Sequence, residues 1–73
     1  MSKPYTYLEV EAIENDYDQQ VPIKVIAEHV NDDFHNGEAV RTPKAISYVI
    51  GRLNADDGWK ERLEEAWEGE VAE

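Results

Sequence analysis

The sequence predicts an all-α domain: three helices that share one core, and a fourth added at the C-terminus. Three observations predict it. Apolar residues recur at three- and four-residue steps through most of the chain, the spacing of one face of a helix. Helix-start residues precede the first three periodic runs: Thr6, Pro22, and Thr42 with Pro43. The chain has 73 residues, enough for one domain and one core. A chain of this size buries only about 60% of the surface its unfolded form exposes. Most of its 41% hydrophobic residues are therefore committed to the core, and few remain to build a deep cleft.

The first helix is expected from about Tyr7 to Tyr17. Thr6 and Glu9 have the spacing of a capping box, in which each side chain satisfies an orphan amide. Glu9, Glu11 and Glu14 occupy early turns, where the helix dipole favours negative charge. Val10, Ile13 and Tyr17 make the buried face. The second helix is expected from about Pro22 to Asp33. Pro22 suits the first helical position, where no amide hydrogen is needed. Its apolar stripe is Ile23, Ile26, Ala27 and Val30, with Phe34 closing the layer.

A loop from Asp33 to Arg41 follows, with His35-Asn36-Gly37 as its turn. The third helix is expected from about Pro43 to Leu53, capped by Thr42 and stopped near Asn54. Ala45, Ile46, Val49, Ile50 and Leu53 form its apolar stripe. Lys44, Ser47, Tyr48, Gly51 and Arg52 occupy the opposite face. The fourth helix is expected from about Trp59 to Glu68, capped by Asp56 or Asp57. Trp59, Leu63 and Trp67 share one of its faces. Glu61, Glu64, Glu65 and Glu68 make a solubilising one. The organisation is a single domain over 1–73: a core at 5–54, a C-terminal helix at 56–68 and a flexible acidic tail at 69–73.

There is no cysteine, which removes disulfides and thiolate metal sites and fits a reducing compartment. Neither a signal-peptide stretch nor an apolar run of roughly 20 residues is present, so a cytoplasmic protein with no membrane partner is expected. The net charge is −10, which by itself disfavours binding to phosphate. Its distribution points the other way. Residues 41–55 contain Arg41, Lys44 and Arg52 and no acid, while both flanks are strongly acidic.

Three motifs carry a family likeness. They are Tyr5-Thr6 followed by Glu9 and Ile13; Ile23-x-x-Ile26-Ala27-x-x-Val30; and Arg41-Thr42-x-x-Ala45-Ile46 ending at Leu53. Together they resemble the Myb/SANT class of helix-turn-helix domains over roughly residues 5 to 53. The three core tryptophans of that class are replaced by Tyr5, Ile23 and Ile50, and the loop before Arg41 is longer. In size and acidity the chain also resembles small bacteriophage-encoded helix-turn-helix proteins, for which the compartment is the host cytoplasm.

The resemblance implies a third helix that lies in the major groove of DNA. Carried over by position, Lys44 reads base edges, Ser47 and Tyr48 follow one turn later, Arg52 one turn beyond, and Arg41 holds a phosphate at the helix start. Lys and Arg are the side chains suited to those tasks.

Blander readings stand beside these. The basic island is either a partner-binding face or a solvated one. Tyr48 either stacks on a partner or packs at the core edge. Gly51 admits either a partner backbone or, as favoured here, helix four. His29 and His35 are too few for a metal site and are expected on a helix surface and in a loop. No paired carboxylates, activated nucleophile or phosphate loop is visible, so the chain is not expected to be an enzyme or to carry a cofactor.

Two functions follow. The favoured one is a DNA-binding regulator, whose affinity the net charge would make low and steeply salt-dependent. The alternative is an acidic protein-interaction module, SANT-like or mimicking DNA charge, that binds a basic protein. A homodimer through the C-terminal helix, by way of Trp67, is compatible with either. A third reading explains the acidity with no partner, by solubility or adaptation to high salt.

Overall fold

Four helices in sequence build the molecule: α1 (Tyr7–Asp18), α2 (Ile23–Phe34), α3 (Pro43–Ala55) and α4 (Asp57–Val71). The computed structural model describes residues 4–71, and among these there is no strand. The helices α1 and α3 form the centre, and each touches both α2 and α4. The globule measures 34 × 28 × 25 Å.

The apolar stripes meet as their spacing requires. Val10 and Ile13 from α1, Ile26, Ala27 and Val30 from α2, Ile46, Val49 and Ile50 from α3, and Trp59 from α4 form one buried cluster. Tyr5, Val21, Ile23, Leu53 and Leu63 pack around it, half-buried. Each fully buried aliphatic side chain contributes about 1.5–3 kcal/mol by leaving water.

Caps fix where the helices begin. Thr6 Oγ1 accepts from the Glu9 amide at 3.3 Å, and Thr42 Oγ1 accepts from the Ala45 amide at 3.1 Å. Pro43 opens α3, where its missing amide hydrogen costs nothing. Asp56 Oδ1 accepts from the Gly58 amide at 3.1 Å and starts α4. The helix α1 ends in a two-bond turn: the Gln20 amide donates to Tyr17 O and the Val21 amide to Asp16 O. This places Gln20 at φ 64°, a position where glycine is usual. In the longer loop, Asn36 at φ 55° and Gly37 at φ 82° make the turn that His35-Asn36-Gly37 signalled.

Several expectations are corrected. Pro22 caps α2 from outside instead of occupying its first turn. Tyr17 is 46% exposed and lies off the buried face. Phe34, at the last turn of α2, is exposed as well. Asn54 does not stop α3, which continues to Ala55. The helix α4 starts two residues earlier than expected and reaches Val71. It therefore takes up 69–71 of the supposed tail; residues 72–73 lie outside the described residues. A Cβ added at Gly51 would meet nothing within 4 Å, so this glycine does not admit helix four.

Candidate nucleic-acid interface

The helix α3 presents one long outward face. Lys44, Ser47, Tyr48, Gly51 and Arg52 are spaced by three and four residues and so stand in line along it. Lys44, Ser47, Tyr48 and Gly51 are exposed, and Arg52 is half-buried. No Asp or Glu occurs between Pro43 and Ala55. Among the described residues, Lys44 and Arg52 make no ion pair, whereas Lys60 and Arg62 on α4 are paired with Glu14 and Asp56. The uncommitted positive charge near α3 is thus carried by α3 itself.

Tyr48 is 54% exposed, so it does not pack at the core edge. Its hydroxyl accepts from Arg52 Nη1 at 3.0 Å. The Arg52 guanidinium also lies 4.4 Å from the ring centroid of Trp59, whose indole is 93% buried as the core residue of α4. Trp67, by contrast, is half-buried and leans on Tyr7, with ring centroids 5.6 Å apart.

Arg41 is elsewhere. It is only 2% exposed and cannot hold a phosphate at the start of α3. Its Nε and Nη2 donate to the two carboxylate oxygens of Glu9 at 2.5 and 3.0 Å, and Nη2 also donates to Pro4 O at 3.2 Å. The ring of Tyr5 lies 3.9 Å from its guanidinium carbon. Asn31 on α2 clamps its backbone: Asn31 Oδ1 accepts from the Arg41 amide at 2.8 Å, and Asn31 Nδ2 donates to Arg41 O at 2.9 Å.

His35 lies in the turn after α2, as expected, but its surroundings are not those of a surface loop. It is buried, and its Nε2 sits 3.0 Å from Glu9 Oε2. Burial pushes the Glu9 carboxyl up, but hydrogen bonds from Arg41 and His35 and their charges outweigh it and hold it below the ordinary range. The Glu9 hydrogen bond raises Arg41 in turn. The Thr6–Glu9 capping box is consequently only half formed. Thr6 caps the helix, while the Glu9 side chain turns inward instead of returning to Thr6.

The consequence is architectural. One buried carboxylate ties the first turn of α1, the end of α2 and the residue before the α3 N-cap into a single joint. That joint fixes where α3 begins and therefore which of its faces meets solvent. The sequence carried one usable signal for it. Glu9 sits beside Val10 and four residues before Ile13, on the apolar side of α1, where an acid demands a buried partner.

Outside this joint, His29 Nδ1 lies 3.0 Å from Asp16 Oδ2 and staples α2 to α1 at the surface. Among the described residues, no three His, Asp or Glu side chains converge on a possible metal position. An open depression of about 360 Å³ borders Pro4, Thr6, Glu9, Phe34 and His35. The polar atoms of Glu9 in it are already engaged by Arg41 and His35. No helix among the described residues is long and apolar enough to cross a membrane. No protein-family model, curated protein or solved structure matches the chain.

Proposed function

We propose that this chain is a small DNA-binding domain of helix-turn-helix type that lays α3 in the major groove, and that it acts as a regulator like the bacteriophage-encoded proteins it resembles. The observation that carries the reading is the outward face of α3: exposed from Lys44 to Gly51, free of acids, and bearing Lys44 and the half-buried Arg52 without carboxylate partners among the described residues. Lys44 stands in the first turn, where a groove-inserted helix meets base edges. Ser47 and Tyr48 follow, with a hydroxyl each to donate or accept. Arg41 serves the reading indirectly, by anchoring the start of α3.

The test is an amide-shift titration by NMR with a mixed-sequence duplex at low salt. Shifts confined to Lys44, Ser47, Tyr48, Gly51 and Arg52, fading as salt rises, support the reading. A spectrum that does not move at low salt rules it out.

One observation favours a second reading, the acidic protein-interaction module. With Arg41 withdrawn into the core, the basic island offers the surface two cations instead of three. Glu61 and Glu65 meanwhile stand exposed on α4, and Glu11, Glu14 and Glu64 are partly exposed on α1 and α4. A basic protein partner would then perturb those glutamates and leave α3 unmoved. A homodimer through α4 would use what remains open of Trp67 beyond its contact with Tyr7.

A further inference from the structure

The guanidinium of Arg52 is held by an aromatic face and a neutral hydroxyl, whereas Lys60, which also lies over a ring, is spent on a carboxylate. Trp59 from α4 supplies a buried aromatic face beneath it at 4.4 Å. Tyr48, one turn earlier on α3, accepts one Nη1 hydrogen at 3.0 Å. A guanidinium has five N–H donors in one plane. One is used by Tyr48 and one face is covered by Trp59, so the remaining edge donors lie in a fixed plane. Asp56, whose carboxylate feels the Arg52 charge, is already bonded to Arg62 at 2.9 Å and to the Gly58 amide. It does not form an ion pair with Arg52 among the described residues.

We infer that Arg52 is a pre-set phosphate clamp. Tyr48 and Trp59 act as positioning residues that aim its free edge at a duplex backbone phosphate, and α4 is thereby part of the DNA-binding unit. This rests on the DNA reading above and adds the contact class and the role of the fourth helix. A planar fork suits phosphate because two parallel N–H bonds reach two oxygens at once. Holding the fork in place before binding lowers the ordering lost on association.

The experiment measures duplex affinity and its salt slope for the unaltered chain and for Arg52→Gln, Arg52→Lys, Tyr48→Phe and Lys44→Gln. Trp59 is left intact because it is core. Circular dichroism confirms that each variant is folded at the assay temperature. Arg52→Gln is expected to flatten the log–log salt slope by about 0.9, the loss of one phosphate. Arg52→Lys keeps the slope and weakens binding several-fold, because an ammonium is a point charge that cannot fork. Tyr48→Phe keeps both the ring and the slope, and weakens binding by roughly two- to tenfold through lost positioning.

A purely structural Arg52 would lower the melting temperature and leave the slope alone. If Lys44→Gln weakens binding while the Arg52 variants bind like the parent, the clamp is wrong and the DNA reading survives. If Arg52→Lys binds as tightly as the parent, the fork has no part in it and the clamp is again wrong. If the unaltered chain binds no duplex at low salt, both fall together.

Discussion

Replacing Glu9 with Gln, or Arg41 with Met, takes one charge from a pair that water hardly reaches. The two side chains are 2% and 1% exposed. Removing one partner leaves the other buried and uncompensated, at about 3–5 kcal/mol. A domain this small holds only about 3–5 kcal/mol of net stability. Each single variant is therefore expected to lose most of its folded population, with a fall in Tm of more than about 12 °C at 4–8 °C per kcal/mol. The joint double variant, Glu9→Leu with Arg41→Met, removes both charges at once but leaves the buried His35 Nε2 without its Glu9 partner, so it should lie about 1–3 kcal/mol below the parent and above either single variant. Asn31 still clamps the backbone at position 41 in that variant. Urea unfolding followed by far-UV circular dichroism measures all three, with an unchanged m-value as the check that only stability moved. Single variants within about 1 kcal/mol of the parent, or a double variant no better than the worse single, would refute a buried, mutually dependent pair.

The same joint sets the acid limit of the fold. Burial acts to raise the Glu9 carboxyl, and the Arg41 and His35 hydrogen bonds overcome it, so its folded pKa lies below its unfolded value of about 4.3. In that window the unfolded chain binds more protons than the folded one. The contribution is complete above about pH 4.3 and is lost as pH falls through the folded pKa. The double variant lacks this loss, so its stability should fall less between pH 5 and 3 than the parent's, as read by melting at each pH.

Two further outcomes follow from particular residues. Gly51→Ala is expected to stabilise the chain by about 0.5–1 kcal/mol, because a Cβ there meets nothing within 4 Å and a mid-helix glycine carries an entropic penalty; an unchanged or lower Tm contradicts this. The Asp16 hydrogen bond raises the His29 pKa, so the staple between α1 and α2 is complete below the ordinary histidine value of about 6.5 and is lost as pH rises through the raised one. An imidazole NMR titration should place the His29 midpoint above that of the Asp16→Asn variant, and equal midpoints would dismiss the staple.

The parts of the fold that follow from periodicity were legible. Thr6, Thr42 and Asp56 cap the helices as their residue types indicate, and the stripes of α2 and α3 are buried as their spacing requires. Tyr17 misled because it sits at the C-terminal end of α1, where it stands 46% exposed beside Ile50 and Leu53 without being covered. The outer face of α3 was legible for the same reason as its inner one. Arg41 was not, because its place in a basic stretch suggested surface charge, while its partner lies 32 residues away on another helix. Pairings of that kind are set by tertiary geometry and leave no periodic trace. The hint was local to Glu9, an acid on an apolar stripe. His35 was missed along with it, since a histidine in a turn gives no sign of which carboxylate it will meet.

The burial of Arg41 changes the electrostatics expected of the interface. Each neutralised phosphate contributes about −0.9 to the slope of log affinity against log salt. With Arg41 on the surface the island would give three contacts; with Lys44 and Arg52 alone the slope is about −2. Raising salt from 50 to 200 mM then weakens binding about tenfold, far less than the 10³–10⁵ lost by proteins that make 6–10 such contacts. If α3 binds DNA as proposed, a shallow dependence is therefore expected in place of the steep one that a net charge of −10 suggests, because few cations take part and salt also screens the repulsion from the acidic faces. Lys24 is exposed on α2 and makes no ion pair among the described residues, so on the same reading it is a candidate for a third contact. A measured slope near −4 would exceed what one copy of α3 and α2 can supply, and would mean that two copies sit on the duplex with paired recognition helices. A slope near zero would mean that the α3 face meets no phosphate at all.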